Sequence, residues 1–133
     1  MPQALGQFRA LVEGLHRQTL IGERQWTSAS TKNTFATKVG DKRIEVLKEV
    51  SDRGSDIWII VYDSTGTAVE SFSDNTFGDL RPTVGDYGGY YPLMKDLFDA
   101  AGRNARGADK VISDLLNDLG LSEIQGGEDD IPF

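Results

Sequence analysis

Five short segments rich in β-branched and aromatic residues follow one another between residues 24 and 74, and they constrain the fold more than any other feature of the chain. The segments are 24–28, 33–39, 43–50, 56–63 and 67–74. Turn residues separate them, as at Gly40-Asp41 and Arg53-Gly54, over stretches short enough for hairpins. Residues 57–62 are apolar at successive positions, which is typical of a strand covered on both faces. The pattern predicts an antiparallel meander of four or five strands, with 56–63 as its central strand.

Helices are predicted on both sides of this meander. Between residues 2 and 18, apolar residues recur at spacings of three and four, the period of an amphipathic helix. The same period returns in 91–101 and in 109–119, and Gly120 suits the C-terminal cap of the latter. Residues 102–107 either separate two helices or bend a single one, since an interior glycine costs only about 1 kcal/mol.

The remaining segments define how the chain is organised. Residues 75–90 contain four glycines and Pro82 without a sustained period, and we expect a long loop there. The element order predicts the α+β class: an N-terminal helix, the meander, one or two C-terminal helical segments and a short flexible acidic tail. We assign residues 1–120 to a single domain, 121–127 to a polar linker and 128–133 to an acidic docking tip.

Composition narrows the functional classes. The chain has no cysteine and one histidine, so thiolate metal sites are excluded and little remains for zinc. We expect His16, next to Arg17 on the first helix, to lie at the surface and not to be a catalytic base. No phosphate-binding loop or nucleophile elbow is found. The sequence therefore predicts a protein that is not an enzyme and has no metal or cofactor.

Two features of the sequence bear on location. No apolar run approaches the roughly 20 residues that a membrane helix needs. The N-terminus also lacks the basic, apolar and small-residue order of a secretory signal. We therefore expect a cytoplasmic protein with no membrane partner.

The net charge of -7 is unevenly distributed along the chain. Four of the 21 acidic residues fall within the last eleven positions, which leaves 17 acids against 14 bases in the body. These four are Glu123, Glu128, Asp129 and Asp130. Acidity argues against indiscriminate binding to nucleic acid, because phosphate affinity comes largely from Lys and Arg. Since much of the excess lies at one end, that argument applies to the body only weakly.

The last six residues combine three carboxylates, a hydrophobic anchor and the chain-end carboxylate. They are Glu128, Asp129, Asp130, Ile131, Pro132 and Phe133. Such a peptide suits a shallow apolar pocket rimmed by Lys and Arg, in which Phe133 is buried and an arginine binds the terminal carboxylate. The alternative, a tail that only aids solubility, gives no reason for an apolar Ile-Pro-Phe end. We predict that residues 128–133 bind partner proteins.

This tip resembles the acidic tip of the bacterial single-stranded-DNA-binding protein, which typically ends Asp-Asp-Asp-Ile-Pro-Phe. Five of the six positions match, and Glu128 is a conservative departure. The resemblance implies partners that are helicases, nucleases, and primosome or recombination factors, with Phe133 and its carboxylate as the main anchor. It covers the tip alone. That family begins its barrel with a strand and carries a long linker, whereas this chain begins with a predicted helix and has a short linker.

A basic segment in the body is the candidate contact with nucleic acid. Six residues between 24 and 43 make up the set, namely Arg24, Trp26, Lys32, Lys38, Lys42 and Arg43. Proteins that bind single strands combine Lys and Arg side chains, which contact the phosphate backbone, with aromatic rings on which nucleobases stack. Arg24 and Trp26 are two residues apart, so they lie on the same face of the predicted strand. Phe35 shares a face of its predicted strand with Thr37 and Val39, so we expect it to lie in the core. Tyr87, Tyr90 and Tyr91 are either a second stacking surface or packing residues.

Together these observations predict a non-enzymatic protein of DNA replication, repair or recombination that binds single-stranded DNA and recruits partner enzymes through its tip. We expect a homo-oligomer, because several linked tails raise the effective concentration of binding sites. The alternative is an adaptor or decoy that occupies pockets for single-stranded-DNA-binding-protein tails without binding DNA itself.

Overall fold

The computed structural model describes residues 3–122 and confirms the predicted α+β class. Helix α1 spans Gln3–Leu20 and is followed by five strands. The strands are β1 Thr27–Ser28, β2 Thr34–Val39, β3 Lys42–Ser51, β4 Gly54–Tyr62 and β5 Ala68–Ser73. A 3-10 helix at Asp74–Phe77 precedes α2 at Tyr90–Ala105 and α3 at Ala108–Leu119.

The five strands form one antiparallel sheet in sequence order, β1-β2-β3-β4-β5. The meander predicted from the turn residues is therefore confirmed. The prediction that segment 56–63 is the central strand is wrong, because that segment is β4 and the middle position belongs to β3. Strand β1 has only two residues, so most of segment 24–28 is not part of the sheet. On the inner face of the sheet, Val46 lies opposite both Phe35 and Ile59, and Ile59 lies opposite Phe72.

Helices α1 and α2 contact each other and enclose the core with the inner face of the sheet. Phe8 of α1 stacks on Phe72 of β5, with ring centroids 4.2 Å apart. Phe35 of β2 contacts Phe98 of α2 with centroids 5.3 Å apart, so its predicted place in the core is confirmed. A side chain at Gly102 of α2 would come within 3.0 Å of the Phe35 ring, which explains a glycine inside this helix.

The backbone at Gly107 decides whether the C-terminal segment is one helix or two. Helix α2 ends at Ala105, and Gly107 adopts a φ of 70°, a left-handed conformation that favours glycine. Helix α3 then begins at Ala108. Residues 102–107 therefore contain a true break between two helices.

The loop at 78–89 is tied to α1 by a network of polar side chains. Arg9 donates to the hydroxyl of Tyr90 at 2.9 Å and to the carbonyl of Arg81 at 3.0 Å. Glu13 accepts hydrogen bonds from Thr83 and Tyr90. Burial opposes ionisation of Glu13, but these hydrogen bonds outweigh it and lower the pKa of the carboxyl.

His16 lies in the same region and is only 5% exposed, so its predicted surface position is wrong. Its Nε2 is 2.8 Å from Oδ2 of Asp96 on α2 and 3.0 Å from the hydroxyl of Tyr87. That hydroxyl donates to the same carboxylate oxygen at 2.7 Å. The apolar stripe of α1 did not reveal this burial, because the loop and α2 cover His16 with polar groups.

The tyrosines beside the glycines are packing residues. Tyr90 is buried, Tyr87 is half-buried, and Tyr91 pairs its hydroxyl with that of Ser55 at 2.7 Å. Partial burial, together with the hydrogen bond to Asp96, raises the pKa of the Tyr87 hydroxyl to about 12. Burial alone would raise the pKa of Asp96, but its hydrogen bonds with His16 and Tyr87 outweigh burial and lower it.

The raised pKa of Tyr87 predicts a loss of stability at alkaline pH. A tyrosine in the unfolded chain titrates near pH 10, whereas Tyr87 in the native state stays protonated to a higher pH. The stabilisation that protonated Tyr87 contributes is therefore full below pH 10 and is lost between about pH 10 and pH 12. Below pH 10, Tyr87→Phe should lower the free energy of unfolding by about 1 kcal/mol through the lost hydrogen bonds. The difference in the free energy of unfolding between wild type and variant, measured by denaturant titration, should be smaller at pH 11.5 than at pH 8. An equal gap at pH 8 and pH 11.5 would contradict this account.

Candidate nucleic-acid interface

An open groove of about 470 Å³ brings together three of the six predicted residues, Arg24, Lys38 and Arg43. It lies where β2 ends and β3 begins, and Lys38 faces Arg43 directly in the register of these strands. The other lining residues are Glu23, Gln25, Thr27, Ala36 and Thr37. Three bases against one acid make the groove locally positive in a chain that is acidic as a whole.

Arg24 is fixed in this groove by hydrogen bonds from its guanidinium. Its Nε and Nη2 donate to Oε1 of Gln18 at 3.1 and 2.9 Å. Its Nη1 donates to the carbonyl of Lys38 at 2.9 Å. These contacts join the C-terminal end of α1 to β2. Arg24 therefore contributes a positive charge whose position is set before any ligand binds.

Arg43 is part of a cluster with Glu45 and Tyr62 on the outer face of the sheet. Its Nη2 lies 2.5 Å from Oε2 of Glu45, and its guanidinium lies 5.8 Å from the centroid of the Tyr62 ring. Tyr62 donates to Oε1 of Glu45 at 2.9 Å. Burial, reinforced by this contact, raises the pKa of the Tyr62 hydroxyl. Glu45 therefore offsets part of the charge that Arg43 brings to the groove.

The strand register places bases and aromatic rings on the same outer face. Lys38, Arg43 and Tyr62 stand side by side across β2, β3 and β4. Trp58 is four residues before Tyr62 on β4, so its side chain is on the same face about 13 Å away. This spacing corresponds to about two steps of an extended single strand.

The indole Nε1 of Trp58 is buried and has no hydrogen-bond partner, and it is the one such side-chain nitrogen or oxygen atom among residues 3–122. The residue itself is half-buried and lies opposite Leu47 on β3 and Ser73 on β5. Buried tryptophan N–H groups usually have an acceptor.

Trp26, in contrast, belongs to the core and is only 3% exposed. Its Nε1 donates to the hydroxyl of Thr19 at 3.0 Å, and its backbone N–H donates to Oδ1 of Asn104 at 2.6 Å. The prediction that Trp26 offers a stacking surface beside Arg24 is therefore contradicted. Strand parity misled us because the chain joins the sheet only at Thr27.

The two remaining predicted bases lie away from the groove lining. Lys32 precedes β2 at the end opposite Lys38, about 20 Å along the strand. Lys42 is exposed and pairs with Asp41 in the β2–β3 turn at 3.1 Å. Neither contributes a side chain to the groove.

Sequence reasoning did not single out Trp58 and Tyr62 for this face. Residues 57–62 were interpreted as covered on both sides because every position is apolar or aromatic. The available signal was the parity that separates Trp58, Ile60 and Tyr62 from the core positions. Among the inner residues Ile57 and Ile59 are buried and Val61 is half-buried, whereas none of the outer three is fully buried.

Residues 123–133, which include the whole predicted tip, lie outside the described residues. Within residues 3–122, no group of three His, Asp or Glu side chains is placed to hold a metal ion. In the same range, no helix has the length and apolar character needed to cross a membrane. No family model, no curated protein and no solved structure matches the chain.

Proposed function

We propose that the protein is a non-enzymatic accessory protein of single-stranded-DNA metabolism that recruits partner enzymes through residues 128–133. The carrying observation is the C-terminal sequence, in which three carboxylates precede Ile131, Pro132 and a terminal Phe133. Phe133 fills an apolar pocket on the partner, and the terminal carboxylate pairs with a basic side chain at its rim. Pro132 restricts the backbone and lowers the entropy lost on binding.

The body's share in this function is to hold a single strand on the outer face of the sheet. Arg24, Lys38 and Arg43 supply phosphate contacts, and Tyr62 and Trp58 lie about 13 Å apart, so they stack nucleobases that are not adjacent in the strand. Stacking of a nucleobase on an aromatic side chain is worth about 1–3 kcal/mol. Two aromatic rings and three basic residues therefore support binding, and the part that comes from the basic residues weakens as salt is added. The acid Glu45 beside Arg43 keeps this affinity modest.

A capture experiment tests the role of the tip. Full-length protein on a solid support should retain replication and repair enzymes from a bacterial extract, and a variant lacking Phe133 should lose them. Removing a central anchor costs about 2 kcal/mol or more, so the affinity for these enzymes should fall at least about 30-fold and little of them should be retained. The matched control is Ile124→Ala, which shortens an apolar side chain of the same tail. Equal retention by the Phe133 variant would contradict the proposal.

The adaptor or decoy remains the second candidate, and two observations favour it. The chain carries a net charge of -7, and Glu45 pairs with Arg43, one of the three basic residues of the groove. A filter-binding assay at low salt, with the full-length protein and an oligonucleotide of thymidines, distinguishes the two functions. Retention supports the single-strand-binding function. Loss of retention together with Phe133-dependent capture of enzymes would establish the adaptor instead.

A further inference from the structure

Helix α3 presents an apolar stripe to solvent. Val111, Ile112, Leu115 and Leu119 are 54%, 50%, 49% and 68% exposed. The helix packs against α2, but these four side chains take little part in that contact. A surface helix normally turns its apolar side to the core, and twelve residues are too few for a stable isolated helix in water. The stripe therefore indicates an interaction surface.

We propose that α3 pairs in antiparallel orientation with α3 of a second copy of this chain. The order of the side chains supports this pairing. Leu115 is at the middle of the stripe, with Val111 four residues before it and Leu119 four residues after it. A two-fold axis at Leu115 places Val111 opposite Leu119 of the second copy and Leu115 opposite itself. The same surface is then buried on both copies, as two-fold symmetry requires.

Charge selects the antiparallel orientation. The N-terminal end of α3 and the turn before it carry Arg106, Asp109 and Lys110, which give that end a net positive charge. Asp114 lies beside Leu115 at the centre and pairs with Lys110 of the same helix at 3.2 Å, and Asp118 lies near the C-terminal end. Antiparallel pairing brings the basic end of one copy to the acidic end of the other and opposes the two helix dipoles favourably. Parallel pairing would place like charges together.

The acidic ends also argue against a different occupant, the chain's own tail. Residues 123–133 contain four acidic side chains and no basic one, so Asp114 and Asp118 would repel them. A second copy offers both signs of charge in the required order. The tail is thus the poorer match for this stripe.

The size of the stripe sets the expected strength of the dimer. The four half-exposed side chains of the stripe and their neighbours bury on the order of 1,000 Å² in total over the two copies, the range of weak and transient interfaces. We therefore expect a reversible dimer that forms at micromolar concentrations. Sedimentation equilibrium of the full chain should show the mass rising with concentration from 14.6 kDa towards twice that value.

A charge at the centre of the stripe tests the surface. Leu115→Glu should remain at 14.6 kDa at 200 µM, with the far-UV circular dichroism of the wild type. Ser113→Glu is the matched control, because it adds the same charge on the polar side of α3 and should still dimerise. A monomeric wild type at this concentration would overturn the proposal and assign the stripe to a different protein. A Leu115→Glu variant that still dimerises would overturn it as well.

Single cysteines test the orientation, since the natural chain has none. Leu115→Cys should form an intermolecular disulfide under mild oxidation, because the two positions meet at the axis. The two copies of a Leu119→Cys variant should be about 12 Å apart along the helix pair, beyond disulfide reach, and should stay reduced. Efficient cross-linking of Leu119→Cys with little at Leu115→Cys would overturn the antiparallel pairing.

Discussion

Trp26→Ala is expected to lower the free energy of unfolding by about 3–5 kcal/mol, the usual cost of truncating a fully buried tryptophan. The ring is enclosed by the core, and its N–H donates to Thr19, so the variant loses both packing and a buried hydrogen bond. Guanidinium unfolding followed by far-UV circular dichroism measures the effect. A loss of this size is a large part of the 5–15 kcal/mol that stabilises a typical domain.

Two further variants show whether Trp26 acts through the core. Trp26→Phe keeps most of the apolar volume and should cost clearly less than the alanine variant. Trp58→Ala, at the half-buried position on the outer face, should likewise be less destabilising. If Trp26→Ala cost under 1 kcal/mol and reduced oligonucleotide binding, the ring would be a stacking surface, as strand parity suggested.

The double variant Lys38→Gln/Arg43→Gln is expected to weaken binding to an oligonucleotide of thymidines on the order of 30-fold at 50 mM salt. It removes two of the three positive charges that line the groove. With three phosphate contacts, the slope of log affinity against log salt should be about −2, and the variant should show about −0.7. Fluorescence anisotropy at four salt concentrations measures both quantities.

Lys32→Gln/Arg53→Gln is the control for this experiment. It removes the same total charge from exposed turns outside the groove lining. Affinity and salt slope should therefore stay within about twofold of the wild type. Equal losses in the two double variants would mean that net charge, and not the groove, governs the interaction.

The sequence was most informative where local chemistry decides the structure. Gly40 and Gly54 adopt φ values of 64° and 120°, and each lies at a hairpin turn that the sequence predicted. The strands followed from β-branched and aromatic segments separated by turn residues, and the flanking helices followed from apolar periodicity. The short length of β1 could not be predicted in this way. The backbone N–H of Trp26 donates to Asn104 of α2 and not to a neighbouring strand, so the sheet begins only at Thr27.

Polar burial was the main feature that the sequence concealed. His16 looked like a surface residue because it lies outside the apolar stripe of α1, yet Asp96 and Tyr87 reach it from 80 and 71 residues away in the chain. Contacts of such separation leave no local period. The residues that line the groove became clear only from the register of β2 and β3, which places Lys38 opposite Arg43.

The meander order has a consequence for how the chain folds during synthesis. Each strand pairs with its neighbour in sequence, so residues 27–73 complete their sheet as they are made. Helix α1 is made first, yet α2, one of the elements that bury it, is made nearly last. The apolar side of α1 therefore depends on residues 90–105 for its full protection. A chain interrupted before that point would expose Val12 and Leu15 and would be a target for chaperones and proteases.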